Sequence, residues 1–405
     1  MRLILLTQYY PPEIGAPQAR LSELASRFVA RGHRVTVLTA KPNYPSGRIA
    51  PGYAGVWRRE VREGAAVLRT FIYPTQSARL VPRMTNYLSF TFSSAALGTL
   101  LLPRADYLLV ESPPLFLGLA GFWLSRIKGA RLIFNVSDLW PDSVVRLGKL
   151  TAGSRTHHAM TKLEEFCYRR AWAVTGQSAG ILADVRARLP EKRVYHLSNG
   201  VDAARFARAA PDAALRAELG EGRSCLAIYA GLHGLAQGLE QWLEAAARLR
   251  DERELMFVFI GDGPEREALV ARAQTLGLDN VRFHRSLPRE RIPVVAASAD
   301  IALVSLKLDL PGAVPSKIYE AMGAGVPILL LASGEPAEIV RRTQAGLTVA
   351  IGDIPGATAA VRRLAHDVEL RRELGEAGRR AAAGEFDRDR IAAKFIDFLE
   401  KEKSC

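Results

Sequence analysis

The chain has 405 residues, 48% of them hydrophobic, which is too many for one compact core and too apolar for a disordered protein; two domains are expected. Its 55 Lys+Arg against 42 Asp+Glu give a net charge of +13, concentrated at the front: residues 1–200 carry 27 basic and 12 acidic side chains, whereas the remainder is close to neutral. Such a half suits nucleic acid, a membrane surface or a phosphorylated acceptor, but the charges are scattered and no zinc-finger, RNP or arginine-rich pattern accompanies them, so nucleic acid is not expected.

In chain order, residues 3–6 (LILL) read as a buried strand; the apolar run is too short for a signal peptide and PP follows it. A Pro- and Gly-containing loop spans 9–17, and 18–30 has helical spacing with Leu21, Leu24, Ala25 and Phe28 on one face. Gly32 ends that helix and 35–38 is the next strand. This is a βαβ unit with Gly15 at the strand-to-helix handover. It lacks GxGxxG, so a hydride-transferring dinucleotide enzyme is not expected. Residues 41–53 form a long punctuated loop. Two apolar stretches follow, 87–102 flanked by Arg79, Arg83 and Arg104, and 115–127; both fall short of the roughly 20 residues that span a bilayer. They read either as two packed helices of an α/β domain or as part of a monotopic membrane contact.

Strand 131–136 is followed by SDLWPDS, which puts Asp138 at a carboxyl edge of the sheet, either as a ligand for substrate hydroxyls or a base, or as a helix-capping residue beside a packed Trp140. Helix 162–170 and strands 173–175 and 194–197 close the first series. Cys167, Cys225 and Cys405 stand far apart without CxxC or His clustering, which argues for a reducing compartment and against a structural zinc site.

A second series begins near residue 200. Strand 225–229 leads into the glycine loop AGLHGLAQG and a helix over 239–250. Strand 255–260 leads into GDGPER; strand 281–284 and helix 289–297 follow. The stretch VPSKIYEAMGAGVP (314–327) lies between apolar strands 300–306 and 328–332. Ser316 is a suitable N-cap, and Gly323, Gly325 and Pro327 are stop signals, so a two-turn helix is expected. Its N-terminus, with Lys317 beside it, favours an anion, and Glu320 one turn in can accept two hydrogen bonds from a vicinal diol such as a ribose. Phosphate at a helix tip and ribose on a carboxylate is the recognition problem of a nucleotide sugar. The last segment, 386–401, is amphipathic, with Ile391, Phe395, Ile396 and Leu399 on one face.

Taken together, YAG with a QGLE loop, GDGPE, PSKIYEAMGAGVP, the opening TQYYPPEIGAPQARLSELASRFVARGHRVTVLTA, SDLWPDS and LSNGVD resemble family 4 of the retaining glycosyltransferases. More narrowly they resemble its members that build O-antigen, capsule and colanic-acid polysaccharide, such as N-acetylfucosaminyl transferases. The resemblance covers nearly the whole chain. It implies an α/β GT-B fold, two Rossmann-like domains with parallel sheets facing across a cleft. Residues 1–200 would form the acceptor domain and 201–385 the nucleotide-sugar domain, and 386–405 a helix returning to the first.

By the same resemblance, Glu320 is the ribose-binding glutamate, and Ser316, Lys317 and Ile318 cradle the diphosphate. Gly15 lies in the N-terminal glycine loop near phosphates and acceptor. Gly261, Gly263, Arg285 and Leu287 lie in loops lining the nucleotide pocket, and Gly231, His233 and Gln237 in the first C-domain loop. Three positions depart from the family. Gly312 stands where a glutamate is usual, with Asp309 the nearest acid; Leu232–His233 and Gln237 stand where Arg and Lys usually clamp the diphosphate; and Ser137 stands where many relatives have His.

The expected reaction is a metal-independent, retaining transfer of an N-acetylated amino or deoxy-amino sugar, with Asp138, Lys317 and Glu320 as the catalytic candidates. The donor is a UDP-sugar rather than any bound cofactor, and the acceptor a polyprenyl-diphosphate-linked saccharide. The enzyme is expected in the cytoplasm, peripherally on the anionic surface of the inner membrane. Charge on the leaving diphosphate would be stabilised by the helix tip, Lys317 and Arg285. A GT-B-type UDP-N-acetylhexosamine 2-epimerase is the alternative; it would not need the basic, apolar surface over 79–128.

Overall fold

The computed structural model describes residues 1–13, 15–44, 46–77 and 79–404, so Cys405 lies outside the described residues. The chain forms two compact units: Met1–Ser198 together with the end of the chain from Ile391, and Asn199–Arg390.

The first unit holds an eight-stranded sheet: β1 (Arg2–Thr7), β2 (Arg34–Ala40), β3 (Trp57–Arg62), β4 (Ala65–Thr70), β5 (Tyr107–Ser112), β6 (Arg131–Val136), β7 (Ala173–Gly176) and β8 (Val194–His196). Their order is β3-β4-β2-β1-β5-β6-β7-β8, and every pair is parallel except the β3–β4 hairpin at one edge. Alternation sorts the strands onto two buried faces. Ile4, Leu6, Leu108, Val110, Leu132 and Phe134 face one core with helices α2 (Leu80–Leu101) and α3 (Leu117–Lys128). Leu3, Leu5, Val35, Val37, Leu109 and Ile133 face the other, with α1 (Ala16–Ala30). Ala392, Phe395, Ile396 and Leu399 of the Arg388–Ser404 helix join that second core, which is why its apolar face exists.

The second unit holds β9 (Cys225–Ala230), β10 (Leu255–Ile260), β11 (Val281–His284), β12 (Ile301–Ser305), β13 (Ile328–Leu331) and β14 (Gly346–Val349), all parallel, in the order β11-β10-β9-β12-β13-β14. This is the doubly wound 3-2-1-4-5-6 order. The four inner strands are buried on both faces along nearly their whole length and read as apolar runs such as LMFVFI, whereas the edge strands β11 and β14 are only partly buried. Among the described residues no helix is long and apolar enough to cross a membrane.

Candidate functional site

In an open parallel sheet, ligands bind over the carboxyl ends of the two neighbouring strands whose connections run to opposite sides. In the second unit those strands are β9, which leads toward β10, and β12, which leads toward β13. The glycine loop leaves β9, and residues 306–316 leave β12 to enter the helix Lys317–Ala324. The topology therefore brings together the two motifs that carry the sequence-level reading.

Lys317 reaches back across the glycine loop. A Cβ placed on Gly231 would lie 2.4 Å from Lys317 Cε and 2.6 Å from its Nζ and would push the lysine aside, and φ 147° at Gly231 disfavours any other residue. The ammonium stands 5.0 Å from the centroid of the Tyr229 ring, a cation–π contact. Burial pushes the Tyr229 phenol up, opposed by Lys317 and assisted by the nearby Glu320. Tyr229, Lys317 and the half-buried Glu320 thus sit within one electrostatic neighbourhood: a cation on a helix tip with a carboxylate one turn behind it.

Three details differ from expectation. Ser316 has helical angles (φ −60°, ψ −23°) and makes no side-chain capping bond; it begins the turn rather than capping it. The helix runs through Gly323, which packs against Phe206 and Val201, and ends at Gly325 in the left-handed region. Ile318 is fully buried in the core and gives its N–H to Pro315 O at 3.2 Å, so its side chain is structural and Ser316 and Lys317 are the residues that present polar groups at the tip.

The three loops beyond β9, β10 and β11 are laced together through their backbones. Gly231 N–H donates to Ile260 O at 2.8 Å, Gly261 N–H to His284 O at 3.0 Å, and His233 N–H to Asp262 O at 2.9 Å. A Cβ on Gly261 would meet Gly231 O at 1.9 Å, and one on Gly263 would meet His233 O at 2.3 Å. Here the glycines serve loop-on-loop packing. Gln237 is held by its carbonyl, which accepts from Ser305 Oγ at 2.6 Å, and Ser305 accepts in turn from Trp242 Nε1 at 2.9 Å. Arg285 is exposed but engaged: it pairs with Asp262 at 2.7 Å, and with the Ser286 N–H it holds that carboxyl well below the usual range. Its guanidinium is thus paired with Asp262 in an exposed ion pair. Leu287 packs against the apolar cluster of Leu226, Ile228 and Val295. Gly312 has φ 73°, a turn conformation that suits glycine where a glutamate was expected, and Asp309 lies beside Gly334, at the start of the following helix.

His233 is buried completely, packed by Tyr229 and Phe283, and neither ring nitrogen has a hydrogen-bond partner among the described residues. It is a core residue under the loop rather than a diphosphate clamp. Burial, with Arg266 and Lys317 nearby, lowers its pKa to about 4. The unfolded chain takes up a proton near pH 6.5 that the folded chain refuses until about 4, so stability falls as pH drops through that window. His233→Phe is expected to flatten this dependence, losing roughly 2 kcal/mol less than the wild type between pH 7 and pH 4.5 by urea unfolding.

In the first unit the switch point lies between β1 and β5. Gly15 caps α1 with extended backbone, accepting from Ala19 N–H at 3.1 Å. Asp138 follows β6. Its carboxylate accepts from Ser143 Oγ at 2.8 Å, while Trp140 packs edge-on against Phe116. Burial raises the Asp138 pKa against these hydrogen bonds. Below it lies a network that the motif search passed over. Arg20 of α1 bonds Glu111 Oε1 at 2.5 Å, Ser137 Oγ at 2.8 Å and Gln177 Oε1 at 2.8 Å, and Glu111 Oε2 accepts from Asn135 Nδ2 at 2.5 Å. These groups tie the helix behind Gly15 to the turn that carries Asp138. The available signal was Arg20 itself, a charge on the buried side of an amphipathic helix. Among the described residues no three His, Cys, Asp or Glu side chains are grouped as metal ligands.

Residues 214–381 match the family described as Glycosyl transferases group 1, and residues 15–200 match the Glycosyl transferase 4-like domain. A putative colanic acid biosynthesis glycosyl transferase of Escherichia coli is 29% identical over 337 residues, covering 80% of this chain and 82% of that protein. A GDP-mannose-dependent alpha-(1-6)-phosphatidylinositol monomannoside mannosyltransferase of Mycobacterium tuberculosis is 26% identical over 100% of this chain and 99% of its own length. Among solved structures, HepE of Anabaena in complex with UDP-glucose shares the fold at TM-score 0.74 and 16% identity, over 99% of this chain and 100% of that one. With a group 1 domain behind a 4-like domain on two parallel-sheet units of the GT-B kind, the chain is a group 1, family 4-like glycosyltransferase.

Proposed function

We propose that this glycosyltransferase takes a sugar, of the N-acetylated amino or deoxy-amino class, from a UDP-sugar and places it with retained anomeric configuration on a lipid-diphosphate-linked saccharide. The product belongs to a cell-surface polysaccharide, and the enzyme works peripherally at the inner membrane. The observation that carries this reading is the Lys317–Gly231–Glu320 constellation at the switch point of the second unit. The relatives named for colanic acid and for a phosphatidylinositol mannoside, together with HepE and its UDP-glucose, support it.

In the proposed step the acceptor hydroxyl attacks the anomeric carbon as its bond to the β-phosphate oxygen breaks. The acceptor proton passes to the departing phosphate on the same face, so no separate base is needed. Lys317 and the helix tip hold the charge that develops on UDP. Glu320 accepts from the ribose hydroxyls, and Asp138 is the candidate in the first unit for holding substrate hydroxyls.

Thermal denaturation with a panel of UDP-, GDP- and dTDP-sugars tests the donor. A UDP-sugar at about 100 times its dissociation constant is expected to stabilise the chain by roughly 2.7 kcal/mol. Stabilisation by GDP-mannose alone, the donor named for the mycobacterial relative, would overturn the UDP assignment.

A further inference from the structure

The exposed large apolar side chains of this protein are unevenly placed. Apart from Leu232 and Val368, all of those among the described residues lie between Tyr44 and Ile127, in the first unit. On α2 they form one stripe. Val81, Phe92 and Leu100 are outward with Thr85 and Ala96 between them, at steps of one or two helical turns. Phe92 is 72% exposed and Leu100 77%. The inward side holds Asn86, Thr91 and Ser94 beside Phe90, so polar groups share the inward face while Val81, Phe92 and Leu100 face away from it.

The stripe continues onto α3. Trp123, 54% exposed, donates its indole N–H to Thr99 Oγ1 at 3.0 Å, and Leu119 and Ile127 lie one turn to either side. Arg59 of β3 reaches Leu101 O at 2.8 Å and stacks on the exposed Trp57, which extends the surface to the hairpin. Exposed arginines border it: Arg59, Arg104 and Arg126. Neither helix contains an Asp or Glu; residues 64–105 have none at all, nor have 112–137.

We infer that this surface of α2, α3 and the β3 edge seats the protein on an anionic lipid bilayer, with Phe92, Leu100 and Trp123 entering the headgroup region and the arginines meeting lipid phosphates. A protein partner would call for a bounded patch. A stripe running the length of a 22-residue helix, about 30 Å, with aromatics, arginines and no acid, fits the plane of a membrane interface. The inference rests on the membrane-side reading of the function, to which it gives a face and an orientation.

Co-sedimentation of the full chain with vesicles tests it, using phosphatidylcholine alone and phosphatidylcholine with 30% phosphatidylglycerol, at low and high salt. Binding at least tenfold tighter to the anionic vesicles is expected, weakening with salt by about fivefold per screened arginine. The triple variant F92S/L100S/W123S alters exposed side chains only and should lose at least tenfold in vesicle binding. Its thermal shift with UDP, a property of the other unit, should be unchanged. Wild-type affinity in the triple variant would overturn the inference. So would a wild type that ignores vesicles but forms a dimer, by light scattering, that the variant dissolves. A wild type that binds anionic vesicles but shows no thermal shift with UDP would instead count against the UDP-donor reading and leave the lipid surface standing.

Discussion

Lys317→Ala is expected to lower kcat/KM for sugar transfer by about 10²–10³-fold, the scale on which a preorganised charge-stabilising group acts. The expectation is specific to this chain. Where the family resemblance leads one to expect an Arg and a Lys in the first C-domain loop, the loop has Leu232, a buried His233 and Gln237. Arg285, a candidate cation on the loop after β11, is paired with Asp262 at 2.7 Å in an exposed ion pair. Under the proposed function Lys317, drawn over Gly231 and Tyr229, would carry much of the neutralisation of a diphosphate. Lys317→Arg should rescue little, because the lysine ammonium sits close against Gly231, and a planar guanidinium is larger and places its donors differently. Steady-state kinetics with a UDP-sugar, alongside an unchanged thermal midpoint for the free variant, separates this effect from misfolding.

Arg20→Ala is expected to cost about 3–5 kcal/mol of stability in the first unit, the range for breaking a buried pair by removing one partner. Arg20 and Glu111 meet at 2.5 Å with side chains only 8% and 3% exposed, and Glu111 would keep a buried charge with Asn135 and Ser137 as its remaining donors. Adding Glu111→Gln should restore much of the loss, since an amide in that place no longer needs a cation. Urea unfolding of the single and double variants measures the coupling; an Arg20→Ala variant as stable as wild type would show that the pair is inert.

Much of the fold was legible because parallel strands buried on both faces announce themselves as apolar runs, as at β1, β6, β10 and β13. Strand β3 was not, since WRREVR lies at a sheet edge, is mostly exposed and carries no apolar alternation; its buried neighbour β4 is a short AAVLRT run that was passed over with it. Strand β5 was missed beside two louder helices. In the site, Lys317, Glu320 and Gly231 could be placed from motif spacing, because a helix following a strand fixes where its tip points. What spacing does not reveal is which way a side chain turns. The sequence does not say that His233 goes inward, that Ile318 belongs to the core, or that Asp262 claims Arg285. Those outcomes depend on loop-on-loop packing, in which Gly261 and Gly263 touch carbonyls of a loop thirty residues earlier.

Isothermal titration of UDP into the wild type and Lys317→Ala tests most directly the proposed seat of a nucleotide diphosphate at the Lys317 helix tip. Saturable binding to the wild type and at least a tenfold rise in dissociation constant for the variant are expected. Equal affinity in the two proteins would contradict that assignment.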